Sequence, residues 1–255
     1  MYMKKSIIII TLFLSFLNCA FAANVKTVTK DYKVLTKDQF SLVATLEYPK
    51  LKEKKDFSTV VLVHALGYNS NWWGSLPDEL LDKGYAVLKI DLRGHGKSIY
   101  NSKLVRVSWT SLRNKAYAKF PDDIITVIEC IKTENKRTFF NNWAMIGSDI
   151  GGSAAILAAN KISYKPKTIV VLSPVVSAKG LYIPVALAEL NNIDILSITG
   201  SQDIKSKEAN EYLKKFAQST YTEYTSDSKP IGMLMLKNDE SLSKVITSWI
   251  SEYLK

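Results

Sequence analysis

Hydrophobic positions along the chain follow two different repeats. Residues 25–35 and 40–48 alternate apolar and polar side chains around Lys37-Asp38, which predicts two tightly joined antiparallel strands. Thr59-Val-Val-Leu-Val-His64 is instead a continuous apolar run, the pattern of a strand covered on both faces. Ala86–Asp91, Asn142–Gly147, Thr168–Leu172, Ile193–Thr199 and Thr220–Thr225 read as further strands. Helical spacing falls over Leu76–Lys83, Pro121–Thr133, Gly151–Lys161, Lys205–Gln218 and Ser241–Leu254. Gly84 suits a helix C-terminus, and Pro121 followed by Asp122 and Asp123 suits an N-terminus. Strands alternating with helices predict an α/β protein. Its central sheet is mostly parallel, with helices on both faces and an antiparallel N-terminal edge. No repeat, low-complexity linker or compositional shift divides the chain, so residues 23–255 are expected to form a single domain.

The first residues break this pattern. Lys4 and Lys5 precede an almost wholly apolar stretch, Ser6–Leu17, and Ala20-Phe21-Ala22 is a small-x-small site. That layout predicts a secretory signal peptide over residues 1–22, cleaved before Ala23, and an exported protein, periplasmic or secreted. The apolar run is too short for a comfortable membrane span, so no transmembrane segment is expected after cleavage. Cys19 allows lipid attachment instead, although Phe16-Leu17-Asn18 is a poor match to the usual lipobox. Cleavage removes two lysines and no acids, taking the net charge from +10 to +8. It also leaves Cys130 as the only cysteine, so no intrachain disulfide can form and the core must supply the stability. With 47% hydrophobic and 23% charged residues, the composition is that of a globular protein. The positive charge does not gather into a nucleic-acid footprint: Lys50, Lys52, Lys54 and Lys55 read as a solvated turn, and no nucleic acid is expected as a partner.

Candidate chemistry sits where strands end. His64-Ala65-Leu66-Gly67, Asp91-Leu-Arg-Gly-His-Gly96, Gly147-Ser-Asp-Ile-Gly151 and Gly200-Ser-Gln-Asp203 each follow a predicted strand, the edge at which such sheets bind ligands. In this order the motifs resemble the α/β-hydrolase superfamily, most of all its dienelactone-hydrolase-like and esterase-like bacterial group. The resemblance covers residues 30–255. It implies an oxyanion loop at VLVHALG, a nucleophile elbow at GSDIGG and the triad acid at Asp203. It also implies little or no lid, because fewer than twenty residues separate Ser173-Pro174 from the strand at Ile193.

Two positions depart from that pattern. The elbow carries Asp149 where a serine is usual, and Ile231, in Ser228-Lys-Pro-Ile-Gly232, occupies the position of the histidine. The chain holds only two histidines, His64 and His95, and both fall at positions that are usually structural in the superfamily.

Asp149 therefore has several readings. It could be a carboxylate nucleophile, as in dehalogenase-like branches, but hydrolysis of the resulting ester would need the missing base. It could cap the following helix, since aspartate tolerates positive φ and suits a helix start, and its carboxylate would then also fill the oxyanion hole that the resemblance places at the Leu66 and Ile150 N–H groups. It could form an anionic site with Asp203, open to a cation; Lys229 is near enough in sequence to be that cation, and a metal would want more ligands. A rearranged serine site would use Ser148 or Ser153, and Trp72, Trp73 and Trp109 are candidates to line a pocket mouth. Leu66 and Ile150 match the oxyanion donors, with His64 beside them. No cofactor or metal motif is read. The leading expectation is a pseudo-hydrolase with a degenerate triad that binds a small ligand or a protein. The alternative is an active hydrolase of ester or acyl substrates using Asp149 or an unrecognised base. Oligomeric state is not legible.

Overall fold

A computed structural model describes residues 26–53, 56–135 and 137–255. Residues 1–25, with the expected signal peptide and Cys19, and the lysines at 54 and 55 lie outside the described residues. Eight principal strands form one sheet: β1 (Thr27–Leu35), β2 (Phe40–Pro49), β3 (Thr59–Val63), β4 (Ala86–Asp91), β5 (Trp143–Ser148), β6 (Thr168–Leu172), β7 (Asp194–Gly200) and β8 (Tyr221–Ser226). The principal helices are α1 (Leu76–Asp82), α2 (Phe120–Glu134), α3 (Ile150–Lys161), α4 (Pro184–Glu189), α5 (Ile204–Leu213) and α6 (Glu240–Tyr253).

The strands lie in the order β1-β2-β4-β3-β5-β6-β7-β8. β2 pairs antiparallel with both β1 and β4, and every later pairing along the path is parallel. The fold class expected from the hydrophobic pattern is the one observed. The continuous apolar runs are explained by burial on both faces: every residue of β3, β5 and β6 is buried. One face packs under α2 and α3 through Ile124, Val127, Ala155 and Ala158; the other packs under α1 and α6 through Leu76, Leu80, Ile246 and Ile250.

Several elements differ from the expected bounds. α5 stops at Leu213 rather than near Gln218, because its last turn tightens: the Lys215 and Phe216 N–H groups donate to Tyr212 and Leu213, three residues back, and Phe216 then packs on the core. The segment between β6 and β7 holds only the two-residue pairing of Ser177–Ala178 with Leu181–Tyr182 and the short α4. No lid stands over the sheet there. No helix among the described residues is long and apolar enough to cross a membrane.

Candidate active site

The elbow is built by close approach between β5, α3 and β3. A Cβ on Gly151 would lie 2.3 Å from the carbonyl oxygens of both Val63 and His64, and one on Gly147 would lie 2.5 Å from the Gly152 Cα. Neither glycine has positive φ; they are needed for space, so that the turn can press against the sheet. The strained residue is Asp149, at φ 51° and ψ −122°. Its N–H donates to Leu172 O at 2.9 Å, and its carbonyl accepts from Gly152 and Ser153, which holds the turn in place.

Asp149 stands at the N-cap position of α3, yet its side chain makes no capping hydrogen bond. The cap expected from the sequence is not formed. The carboxylate instead faces the backbone N–H groups of Leu66 and Ile150, the two donors matched to the oxyanion hole. Burial pushes its pKa above the ordinary carboxylate range; those two N–H groups act against that shift, and the charge of Asp203 adds to it.

Asp203 is buried at the start of α5. Its Oδ1 accepts from the Ser206 N–H at 3.2 Å, whereas its Oδ2 is buried with no hydrogen-bond partner. Asp149 and Asp203 thus share a charged region, at the ends of two strands that flank β6. Ile231 lies in the loop after β8. The neighbouring Gly232 N–H donates to Ser173 Oγ at 2.6 Å, and the Met233 N–H donates to Ser148 Oγ at 2.9 Å. The Ile231 side chain itself is 58% exposed. Among the described residues no cation forms a salt bridge with either acid, and Lys229 is an exposed loop residue rather than their partner. No group of three or more metal-ligating side chains is assembled among the described residues.

Both histidines are held by the backbone. His64 is fully buried; its Nε2 accepts from the Leu92 N–H at 3.0 Å, so its proton sits on Nδ1 and is donated to Ala65 O at 2.8 Å. His95 repeats the arrangement, accepting from the Gly67 N–H at 3.1 Å and donating to Arg93 O at 3.0 Å. Neither has a ring nitrogen left for proton transfer at Asp149. They brace the oxyanion loop from beneath. Burial lowers the pKa of both, that of His64 to about 4.

This has a measurable consequence. Between pH 6.5 and 4 the unfolded chain takes up a proton that folded His64 refuses, so stability falls as pH drops through that window. The full loss is about 3 kcal/mol at 1.36 kcal/mol per pH unit. Urea midpoints at pH 7 and pH 4.5 should differ less in His64→Asn than in the unaltered chain. An identical pH slope in the two would rule the assignment out.

Other candidates lie elsewhere. Ser148 is fully buried behind the elbow, and Ser153 is buried in the first turn of α3. Trp73 is a core residue, and Trp72 carries the Lys237 ammonium 3.9 Å above its ring. Trp109 stacks on His95, with ring centroids 5.7 Å apart, and lines a hollow of about 320 Å³ together with Arg106 and Tyr68. Sequence reasoning missed Arg93. It is buried and forks onto Asp123 (2.7 and 2.8 Å) and Asp38 (2.6 and 2.9 Å), tying the turn that carries His95 to α2 and the first hairpin.

The sheet order, the strained elbow after β5 and the acid after β7 define an α/β-hydrolase. The sequence model described as serine aminopeptidase, S33, matches residues 54–222, and the chain belongs to that family. The match includes Asp149 and Asp203 and ends before Ile231. A comparison with curated protein sequences finds no match. Among solved structures, the chain is similar to an esterase from Pyrococcus furiosus, with 14% identity, TM-score 0.68, and 89% of this chain and 91% of that one covered. It is also similar to a dienelactone hydrolase from Anabaena variabilis, with 16% identity, TM-score 0.67, and 89% and 99% covered. An S-formylglutathione hydrolase from Staphylococcus aureus gives 15% identity, TM-score 0.66, and 89% and 98% covered. The chain is therefore an esterase-like α/β-hydrolase in fold.

Proposed function

We propose that this chain is an exported, non-catalytic member of its family that binds a small ligand at the degenerate triad. One observation carries the reading: a carboxylate stands at the nucleophile position, acted on by the Leu66 and Ile150 N–H groups where an ester oxyanion would be stabilised, while both histidines are committed to the backbone. An ester carbonyl would have to displace an anion from its own binding site.

The surroundings support it. Both histidines are committed to backbone partners, and Ile231 offers no base. A carboxylate nucleophile could at most be alkylated once, because His64 and His95 are engaged and Ile231 cannot activate the water that would release it. Export rests on the charged, apolar and small-residue order of the first 22 residues.

The purified chain is expected to give no turnover of short p-nitrophenyl esters above the rate without protein. Steady turnover that disappears in Asp149→Ala would overturn the reading and favour an Asp149-dependent hydrolase.

A further inference from the structure

We propose that the surface around Leu104 and Val105 is a docking face for an anionic lipid bilayer. The two apolar side chains enter the headgroup region, and the cations around them meet lipid phosphates. The face uses none of the triad positions, so it stands whichever way Asp149 behaves.

Charge is spread unevenly along the chain. Residues 92–121 hold seven of the 34 lysines and arginines and none of the 24 acids, so the rest of the chain has 27 cations, 34 less seven, against 24 acids. Three of the seven are committed: Arg93 forks onto Asp38 and Asp123, Lys119 holds Asp38, and Lys97 stands 3.8 Å from Asp31. Lys103, Arg106, Arg113 and Lys115 are exposed and, like exposed Lys37, form no salt bridge among the described residues. Asp38, which lines the same hollow of about 350 Å³ as Arg113 and Lys115, is already saturated by Thr36, Arg93 and Lys119.

Strand pairing brings these groups to one corner. The two-residue strand Tyr100–Asn101 pairs antiparallel with the start of β2. The Ser102 N–H donates to Gln39 O at 2.8 Å, which sets the turn at 101–105 beside the turn Lys37-Asp38-Gln39. Leu35, Ser41, Tyr100 and Arg106 are partners in successive pairings, so they share one face of the sheet, and Leu35 and Tyr100 are exposed there.

The tip of the second turn is apolar and braced. Leu104 is 73% exposed and Val105 55% exposed, and neither packs on the core. Asn101 Oδ1 accepts from the Lys103 and Val105 N–H groups, both at 3.0 Å, and the Leu104 N–H donates to Asn101 O. Leu104 has φ 60°, a conformation that suits glycine or asparagine and strains leucine. The turn thus holds two large apolar side chains in water where its backbone favours a small or polar one. A bilayer surface complements both features, with headgroup phosphates for the cations and the acyl boundary for Leu104 and Val105. A nucleic acid would meet the cations and leave the apolar pair in water.

Sedimentation with lipid vesicles tests the face. At about 0.1 M salt the full chain should bind vesicles with about one-third phosphatidylglycerol roughly tenfold more tightly than vesicles of phosphatidylcholine alone. Leu104→Asn with Val105→Thr keeps the turn, because asparagine accepts positive φ more readily, and should weaken binding about tenfold with the charge unchanged. Lys103→Gln with Arg106→Gln should weaken it roughly twentyfold and flatten its salt dependence. All four side chains are exposed, so both variants should melt with the unaltered chain.

Residues 1–25 are common to all the chains compared, so the differences between them report on the face alone. Equal binding to the two kinds of vesicle, or binding unchanged by either pair of substitutions, would overturn the lipid face. Binding to a DNA duplex as tight as to the anionic vesicles, lost with the two cations and kept when the apolar pair is replaced, would overturn it in favour of nucleic acid.

Discussion

Arg93→Met is expected to lower stability by about 3–5 kcal/mol at pH 7, because it strands a buried carboxylate. Arg93 is 4% exposed and Asp123 is 2% exposed. Between them run two parallel hydrogen bonds, and the same guanidinium reaches Asp38, which Lys119 also contacts at 2.6 Å. The guanidinium and Lys119 hold Asp38 well below the usual carboxylate range, while burial holds Asp123 above it despite the same guanidinium. Asp38 can rehydrate when the arginine is lost; Asp123 cannot.

The sign of the pH dependence follows. Without Arg93, the folded pKa of Asp123 rises further, so the folded state takes up a proton more readily than the unfolded chain and the deficit shrinks as pH falls towards 5. Urea unfolding at pH 7 and pH 5 measures both effects. Arg93→Met combined with Asp123→Leu should recover much of the loss, since burying two apolar groups is cheaper than burying one lone charge. A deficit under about 1 kcal/mol in the single variant at pH 7 would show that water reaches Asp123. The consequence extends to the site, because this network anchors the turn whose His95 accepts the Gly67 N–H beside Leu66.

Arg93 also shows what the sequence conceals. β3 and β6 were legible because strands buried on both faces need a continuous run of mostly apolar side chains, a local signal. Asp38 and Asp123 read as ordinary turn and helix-start residues, and nothing local tells that they lie 55 and 30 positions from one shared guanidinium. Asp149 is the same case within the site. Its positive φ could be expected from the elbow spacing, and so could Leu66 and Ile150 as donors. That the carboxylate would lie by the oxyanion donors without also capping the helix depends on how closely β3 approaches α3. That approach is set by Gly151 against the Val63 and His64 carbonyls, a tertiary contact. The unpartnered Oδ2 of Asp203 was equally hidden, because it depends on which oxygen the Ser206 N–H takes.

Asp149→Ser combined with Ile231→His is expected to create an esterase in which each change depends on the other. The serine removes the anion from between Leu66 and Ile150 and puts a hydroxyl on an already strained elbow, leaving both N–H groups for a developing oxyanion. The histidine enters one residue before Gly232, whose N–H is fixed to Ser173, so the backbone that presents it is anchored at the end of β6. Turned inward, its Nδ1–H would meet the donorless Oδ2 of Asp203, leaving Nε2 to accept the proton of the hydroxyl. Asp149→Ser alone should show the weak activity of an oxyanion hole without a base, and Ile231→His alone should show none. The pair should exceed Asp149→Ser by about 10²–10⁴-fold in kcat/KM for p-nitrophenyl acetate, the usual contribution of a placed general base. Activity should fall with acid as the new imidazole is protonated, near pH 6.5 and higher if Asp203 pairs with it. Asp203→Asn in the same background should remove most of the gain. A folded double variant no faster than Asp149→Ser would mean that the loop before Gly232 cannot turn a side chain inward and that the base belongs at another position.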